Sequence, residues 1–251
     1  MKCQNCGYEI QAPVRFCPEC GEKLKEHGVD LHIYHAFLAE HKGDLEDAIR
    51  HYEFALKHEP ERYEIHKHLG NVYYRLGNLT KAIAELKICT EKMPEFATAH
   101  FELGLAYYRA GSIPKAIEYF ERTIQINPEF EMALYWIGIA KYHKGKLSEA
   151  IQAYRKLLEH NPEFNIAWYH LGVIYARLGK AEETVEAFSR VIEFEPYSAV
   201  AHYHLGNAYH ALNQMKKAEE HFRKAIELDP EHHWAKKHLE AIQKTDPDYE
   251  I

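Results

Sequence analysis

Residues 97–130 read ATAHFELGLAYYRAGSIPKAIEYFERTIQINPEF, and residues 131–164 read EMALYWIGIAKYHKGKLSEAIQAYRKLLEHNPEF. Set one under the other, they share two glycines (Gly104/Gly138 and Gly111/Gly145), an alanine (Ala116/Ala150), an aromatic ring (Phe120/Tyr154) and a proline (Pro128/Pro162). The register continues in both directions. Pro60, Pro94, Pro128, Pro162, Pro196 and Pro230 recur at one constant interval, the length of each quoted stretch, and Gly70, Gly172 and Gly206 extend the first glycine column. A fixed period of this size marks a repeat architecture, which grows by stacking neighbours and not by enlarging one core. Counting back from each proline gives six units: 29–62, 63–96, 97–130, 131–164, 165–198 and 199–232.

Each unit carries two helical patterns. In the second, Ile65, Leu69, Val72, Tyr73 and Leu76 follow the spacing of three and four that lines one helix face, and Ala82, Ile83, Leu86, Thr90 and Met93 do so again after Gly77-Asn78. Pro114 falls in the first turn of a predicted second helix, where a missing N–H costs nothing. The small residues at Gly70 and Ala82 let two antiparallel helices approach, while Leu86, Phe120 or Tyr154 fills the flank.

These Leu-Gly, Tyr, Gly, Ala, aromatic and Pro columns resemble tetratricopeptide repeats over residues 29–232. The resemblance implies an all-α, right-handed superhelical solenoid of six helix-turn-helix units whose first helices line a concave groove. Its departures fall in particular places. The first unit has His35-Ala36 in place of Leu-Gly and Ala39 in place of Tyr, as expected of a terminal repeat that meets something else. Thr184 replaces the alanine, Asn213 replaces the turn glycine, and Cys89 takes a small packing position. Residues 233–244 start another first helix and read as a polar cap, and 245–251 as a loose acidic tail.

Residues 1–28 are different in kind. Cys3-x-x-Cys6-Gly7 and Cys17-x-x-Cys20-Gly21 supply four thiolates, the donor set of a closed tetrahedral zinc site. Short strands are predicted over 8–10 and 14–16, around a turn at 11–13. The segment resembles a zinc ribbon over residues 1–24, a module too small to fold on apolar burial alone. One structural Zn²⁺ is therefore expected on Cys3, Cys6, Cys17 and Cys20. Four thiolates leave no open position for catalytic water, and a redox dithiol would need a single pair on a strand–helix unit. Lys2, Arg15, Lys23 and Lys25 are offset by Glu9, Glu19, Glu22 and Glu26, so the ribbon lacks the basic surface that phosphate binding needs. Protein contact, or capping of the first repeat, is the expectation.

Composition narrows the partners. A formal net charge of -7 argues against nucleic acid and anionic membranes, and no apolar run approaches the roughly 18 residues of a membrane helix. The start Met1-Lys2-Cys3 turns polar without the apolar run of a secretion signal, and the tight cysteine pairs suit a reducing compartment, so a cytosolic location is expected. No phosphate loop, nucleophile–base motif or open metal site points to an enzyme.

In the resembled family, ligands lie in the groove. The columns expected to face it are polar in the first two units and apolar or aromatic in the third to fifth. The expected binding residues are Phe101, Leu105, Met132, Tyr135, Trp136, Ile139, Tyr169, Val173 and Tyr203. The helix from Glu131 carries Met132, Tyr135, Trp136 and Ile139 as a second apolar stripe beside the core residues Leu134 and Ile137. Lys67 and Asn71 match the start of the carboxylate clamp of chaperone-binding members, but Glu102, Met132 and Trp136 do not match its remainder. His66/His68 and His202/His204 alternate along helices and point about 200° apart, so neither pair can chelate one ion. The sequence thus predicts a non-enzymatic adaptor that binds a partner peptide or helix. Self-assembly as a homo-oligomer through groove and terminus is the alternative.

Overall fold

A computed structural model describes residues 28–245 together with Cys6, Glu9 and residues 18–20. The strands expected over 8–10 and 14–16 fall outside the described residues, Glu9 aside, as do Cys3, Cys17 and the tail beyond 245. Among the described residues there are thirteen helices, in two compact units, Met1–Pro128 and Glu129–Ile251. The first unit holds three hairpins: α1 (Gly28–Lys42) with α2 (Leu45–His58), α3 (Tyr63–Arg75) with α4 (Leu79–Lys92), and α5 (Ala97–Arg109) with α6 (Ile113–Ile126). The second unit holds α7 (Glu131–His143) with α8 (Leu147–His160), α9 (Asn165–Arg177) with α10 (Ala181–Phe194), and α11 (Ala199–Ala211) with α12 (Met215–Leu228). It closes with α13 (His233–Thr245), packed on α12. The all-α helical-hairpin repeat architecture is as the sequence predicts.

The turn inside each hairpin follows from helix-end chemistry. After α3, Gly77 takes φ +78°, its N–H reaches Tyr74 O at 3.0 Å, and the Asn78 N–H reaches Tyr73 O at 2.9 Å. This Schellman closure satisfies two of the last carbonyls. Asn78 then caps α4, accepting from the Lys81 N–H at 3.2 Å. Asn213 serves the glycine's role after α11 with φ 58°, a left-handed conformation asparagine tolerates, and repeats both closing bonds.

Close approach within a hairpin depends on the other glycine column. A Cβ on Gly138 would sit 2.5 Å from Cζ and 2.6 Å from Cε1 of Tyr154, a ring that is fully buried and cannot swing aside. Gly138→Ala is therefore expected to cost about 1–3 kcal/mol through forced displacement of α7 from α8. Urea unfolding with unchanged stability would refute that account of the column.

Ring donors fix the turns between repeats. His100 Nε2 lies 3.0 Å from Pro94 O, Trp168 Nε1 2.9 Å from Pro162 O, and His202 Nε2 3.2 Å from Pro196 O. A carbonyl can only accept, so each of these nitrogens carries the proton. On His202 this leaves Nδ1 to accept from His221 Nδ1–H, 2.9 Å away. Thr184 is buried and donates Oγ1–H to Lys180 O at 2.6 Å, which accounts for a hydroxyl in the alanine column. Cys89 is fully buried in α4, its thiol pushed up to about 11 chiefly by burial.

Candidate functional site

The second position of each repeat, in the first turn of each first helix, separates the two units most sharply. In Glu129–Ile251 it holds Met132, Ile166, Val200 and Trp234, which are 41%, 48%, 44% and 59% exposed. In Met1–Pro128 it holds Asp30, Glu64 and Thr98. Asp30 and Glu64 are both tied to Arg62, at 2.6 Å and 3.0 Å. One unit thus offers a row of open apolar side chains where the other offers a bound ionic cluster.

The predicted tyrosines lie deeper than this row. Tyr135 is half-buried, its ring 5.6 Å from Phe164 and its hydroxyl 3.4 Å from His170 Nε2. Tyr169 meets Phe188 edge-on at 5.9 Å, and Tyr203 lies 4.7 Å from His232 and 5.9 Å from His238. Ile139 and Val173 are half-buried, Val173 against the Phe188–Leu205 cluster. These side chains form a wall, and Met132, Ile166, Val200 and Trp234 form its open edge. Phe101 and Leu105 lie half-buried in α5 of the first unit, the Phe101 ring 5.7 Å from Phe120.

Trp136 occupies, by register, the place of His68, His170, His204 and His238 in other repeats. Each of those histidines stacks on the large ring of the repeat before it. His68 covers Tyr52 at 5.8 Å, His170 covers Tyr154 at 5.4 Å, His204 covers Phe188 at 4.6 Å, and His238 covers Phe222 at 5.4 Å. Burial disfavours the imidazolium in all four and takes His68 down to about 4, with Lys67 adding to the effect. These histidines are packing elements between repeats.

The same part of the first unit explains why its clamp-like start is not a carboxylate site. Glu102 Oε1 stands 3.7 Å from Lys67 Nζ and 3.4 Å from Asn71 Nδ2, so the protein's own carboxylate engages both. Glu102 Oε2 is buried without a hydrogen-bond partner, and burial pushes the carboxyl up to about 7.

Along the helix ends, arginines reach back one repeat. Arg75 Nη1 lies 3.6 Å from Glu40 Oε2, Arg109 donates to Tyr74 O at 2.8 Å, and Arg177 sits 5.8 Å from the Tyr142 ring centre. The next rung has Ala176 and Ala211 in these two places. A cavity of about 90 Å³ opens between them, lined also by His204, Asn207 and Ala208.

Of the four predicted zinc ligands, Cys6 and Cys20 are described, and both are exposed. A set of four thiolates in two C-x-x-C pairs suits Zn²⁺ in charge, softness and number. Among the described residues no group of three or more His, Cys, Asp or Glu side chains is arranged to hold a metal. Nor, among them, is any helix long and apolar enough to cross a membrane.

Two helices per repeat, a left-handed turn residue and a glycine–aromatic lock define a helical-hairpin repeat protein. Models of the tetratricopeptide repeat match residues 97–130 and 199–232, residues 38–88 and 135–199, and residues 70–111. The chain belongs to the tetratricopeptide repeat family, and a zinc-ribbon domain model matches residues 2–24. No curated protein matches the chain. Among solved structures, MamA is similar at 30% identity and a TM-score of 0.62, over 65% of this chain and 96% of its own. YrrB, described as a TPR protein with an unusual peptide-binding site, is 23% identical with a TM-score of 0.67, over 75% of this chain and 97% of its own. A tetratricopeptide repeat protein from Parabacteroides merdae is 19% identical with a TM-score of 0.64, over 85% and 98%. The last two likenesses bear on the fold.

Of the exposed row, the sequence reading includes Met132 among the binding residues and puts Ile166 and Val200 in the same groove-facing column without counting them as binding residues, while Trp234 falls in the predicted polar cap. The signal available for all four is their common position within successive repeats.

Proposed function

We propose that this chain is a non-enzymatic scaffold that holds an apolar peptide or helix of a partner protein along the first helices of Glu129–Ile251. One structural Zn²⁺ is bound by Cys3, Cys6, Cys17 and Cys20. The reading is carried by the exposed row of Met132, Ile166, Val200 and Trp234. Four large apolar side chains at one repeat position, on α7, α9, α11 and α13, are unusual surface for a water-facing element, and such patches mark interaction sites. Behind them Tyr135, Tyr169 and Tyr203 supply a rigid aromatic wall, the kind of side chain that anchors interfaces. The peptide-binding description of YrrB agrees with this use of the fold.

Peptides selected from a displayed random library on the wild-type chain are expected to be apolar. Their affinity should fall at least about tenfold in an Ile166→Asp, Val200→Asp double variant, since each lost apolar contact is worth about 1.5–3 kcal/mol. Selected peptides that bind both proteins alike would move the site elsewhere.

A further inference from the structure

The register of the repeats shows which face of α1 corresponds to the one by which later first helices meet the repeat before them. In α3 the third, seventh and tenth positions of the repeat are Ile65, Leu69 and Val72, all buried in one cluster with Ala36 and Ala39 of the first hairpin. In later first helices the tenth position stays closed: Ala106 is 0%, Ile174 1% and Ala208 5% exposed. That face is how a first helix sits on the repeat before it. In α1 the corresponding residues are Leu31, His35 and Leu38, with Tyr34 in the place of the stacking His68. Leu38 is 37% and Tyr34 43% exposed. The terminal face of a solenoid in water is expected to be polar, yet this one keeps Leu31, Tyr34 and Leu38.

The chain itself limits what can cover that face. The zinc-ribbon match ends at residue 24 and α1 starts at Gly28. Three residues intervene, so the end of the ribbon lies within about 14 Å of the start of α1 even when the link is fully stretched. Neighbouring helices pack about 8–10 Å apart, so that tether holds the ribbon beside the first hairpin. The ribbon in turn carries Tyr8, Ile10, Val14 and Phe16 in a segment too short to bury them on its own.

We propose that residues 2–24, ordered by Zn²⁺ on their four cysteines, dock on the face of α1 formed by Leu31, Tyr34 and Leu38. There they take the place of the missing preceding repeat. The inference shares the zinc assignment with the proposed function but is independent of the peptide row on the second unit.

Hydrogen-exchange mass spectrometry on the full chain tests it, with zinc content measured on every sample. Wild type and Leu38→Glu should each hold one zinc per chain, and Cys17→Ser with Cys20→Ser should hold none. Amides of α1 are expected to exchange at least about tenfold faster in both variants than in zinc-loaded wild type, with α3 to α6 unchanged. Tyr34→Glu repeats the first variant should Leu38→Glu not fold, and both positions are exposed enough to accept the change without the ribbon. Equal α1 exchange with and without zinc overturns the proposal, as does wild type without zinc. Protection of α1 that rises with protein concentration also overturns it, because a second copy is then the occupant. Loss of peptide binding in Ile166→Asp, Val200→Asp leaves it untouched, so the two readings fail separately.

Discussion

Phe188→Ala is expected to lower unfolding stability by about 3–5 kcal/mol, among the larger losses a single truncation can cause. The ring is fully buried, lies against Gly172 in its own hairpin, meets Tyr169 edge-on and carries His204 of the next repeat stacked on its face at 4.6 Å. Removing it opens a void on two interfaces at once, the hairpin α9–α10 and its junction with α11. Stability in a stacked repeat array is a sum of unit and nearest-neighbour contributions. The loss should therefore concentrate in α9 to α12, with exchange protection of α1 to α6 retained. Uniform loss of protection across all helices would show that the array unfolds as one cooperative body.

The second large expectation concerns acid. His68 is held near 4 in the folded chain, against 6.5 in an unfolded one, by burial against Tyr52 and Phe37 and by the charge of Lys67, with Glu64 opposing. Below pH 6.5 the unfolded chain takes a proton that the folded one refuses. Stability is complete above pH 6.5, falls as pH drops, and has lost this contribution by pH 4. At 1.36 kcal/mol per pH unit, and allowing for the ring's residual exposure, the loss is about 2–3 kcal/mol. His170, His204 and His238 act in the same direction.

Glu102 opposes them. Its carboxyl is raised from 4.5 to about 7, so the folded chain keeps a proton that the unfolded one releases, and stability falls as pH rises from 4.5 to 7. The pH profile of urea midpoints is expected to separate the two. His68→Gln should flatten the fall between pH 6.5 and 4, and Glu102→Gln should raise stability near pH 8 and make the acid fall steeper. A His68→Gln profile parallel to wild type would contradict the buried neutral imidazole.

The fold was legible because its determinants are local. A left-handed turn residue, a glycine facing a ring and a proline after each second helix recur from repeat to repeat, and each acts within one hairpin or its neighbour. Even the exceptions could be read: Asn213 supplies the φ of a glycine, and Ala36 is buried beside Tyr52 in the altered first unit. The site was less legible, because exposure depends on how deep a side chain sits and not only on which face it shares. Tyr135, Tyr169 and Tyr203 share a face with Met132, Ile166 and Val200, yet their rings pack against Phe164, Phe188 and His232 of their own repeats while the other three side chains stay open. Trp136 lies one position from the groove column, in the column that stacks between repeats. Lys67 and Asn71 looked available until Glu102, in the following repeat, proved to be their partner.

The missing rung at Ala176 and Ala211 bears on what this edge can accept. At Arg75 and Arg109 a long side chain reaches back one repeat, whereas here Ala176 and Ala211 are both exposed and a cleft of about 90 Å³ stands open to water between them. A side chain added there displaces water and does not strain a packed core. Position 211 is therefore where the array can take an arginine, or a reporter group of similar size, without loss of stability.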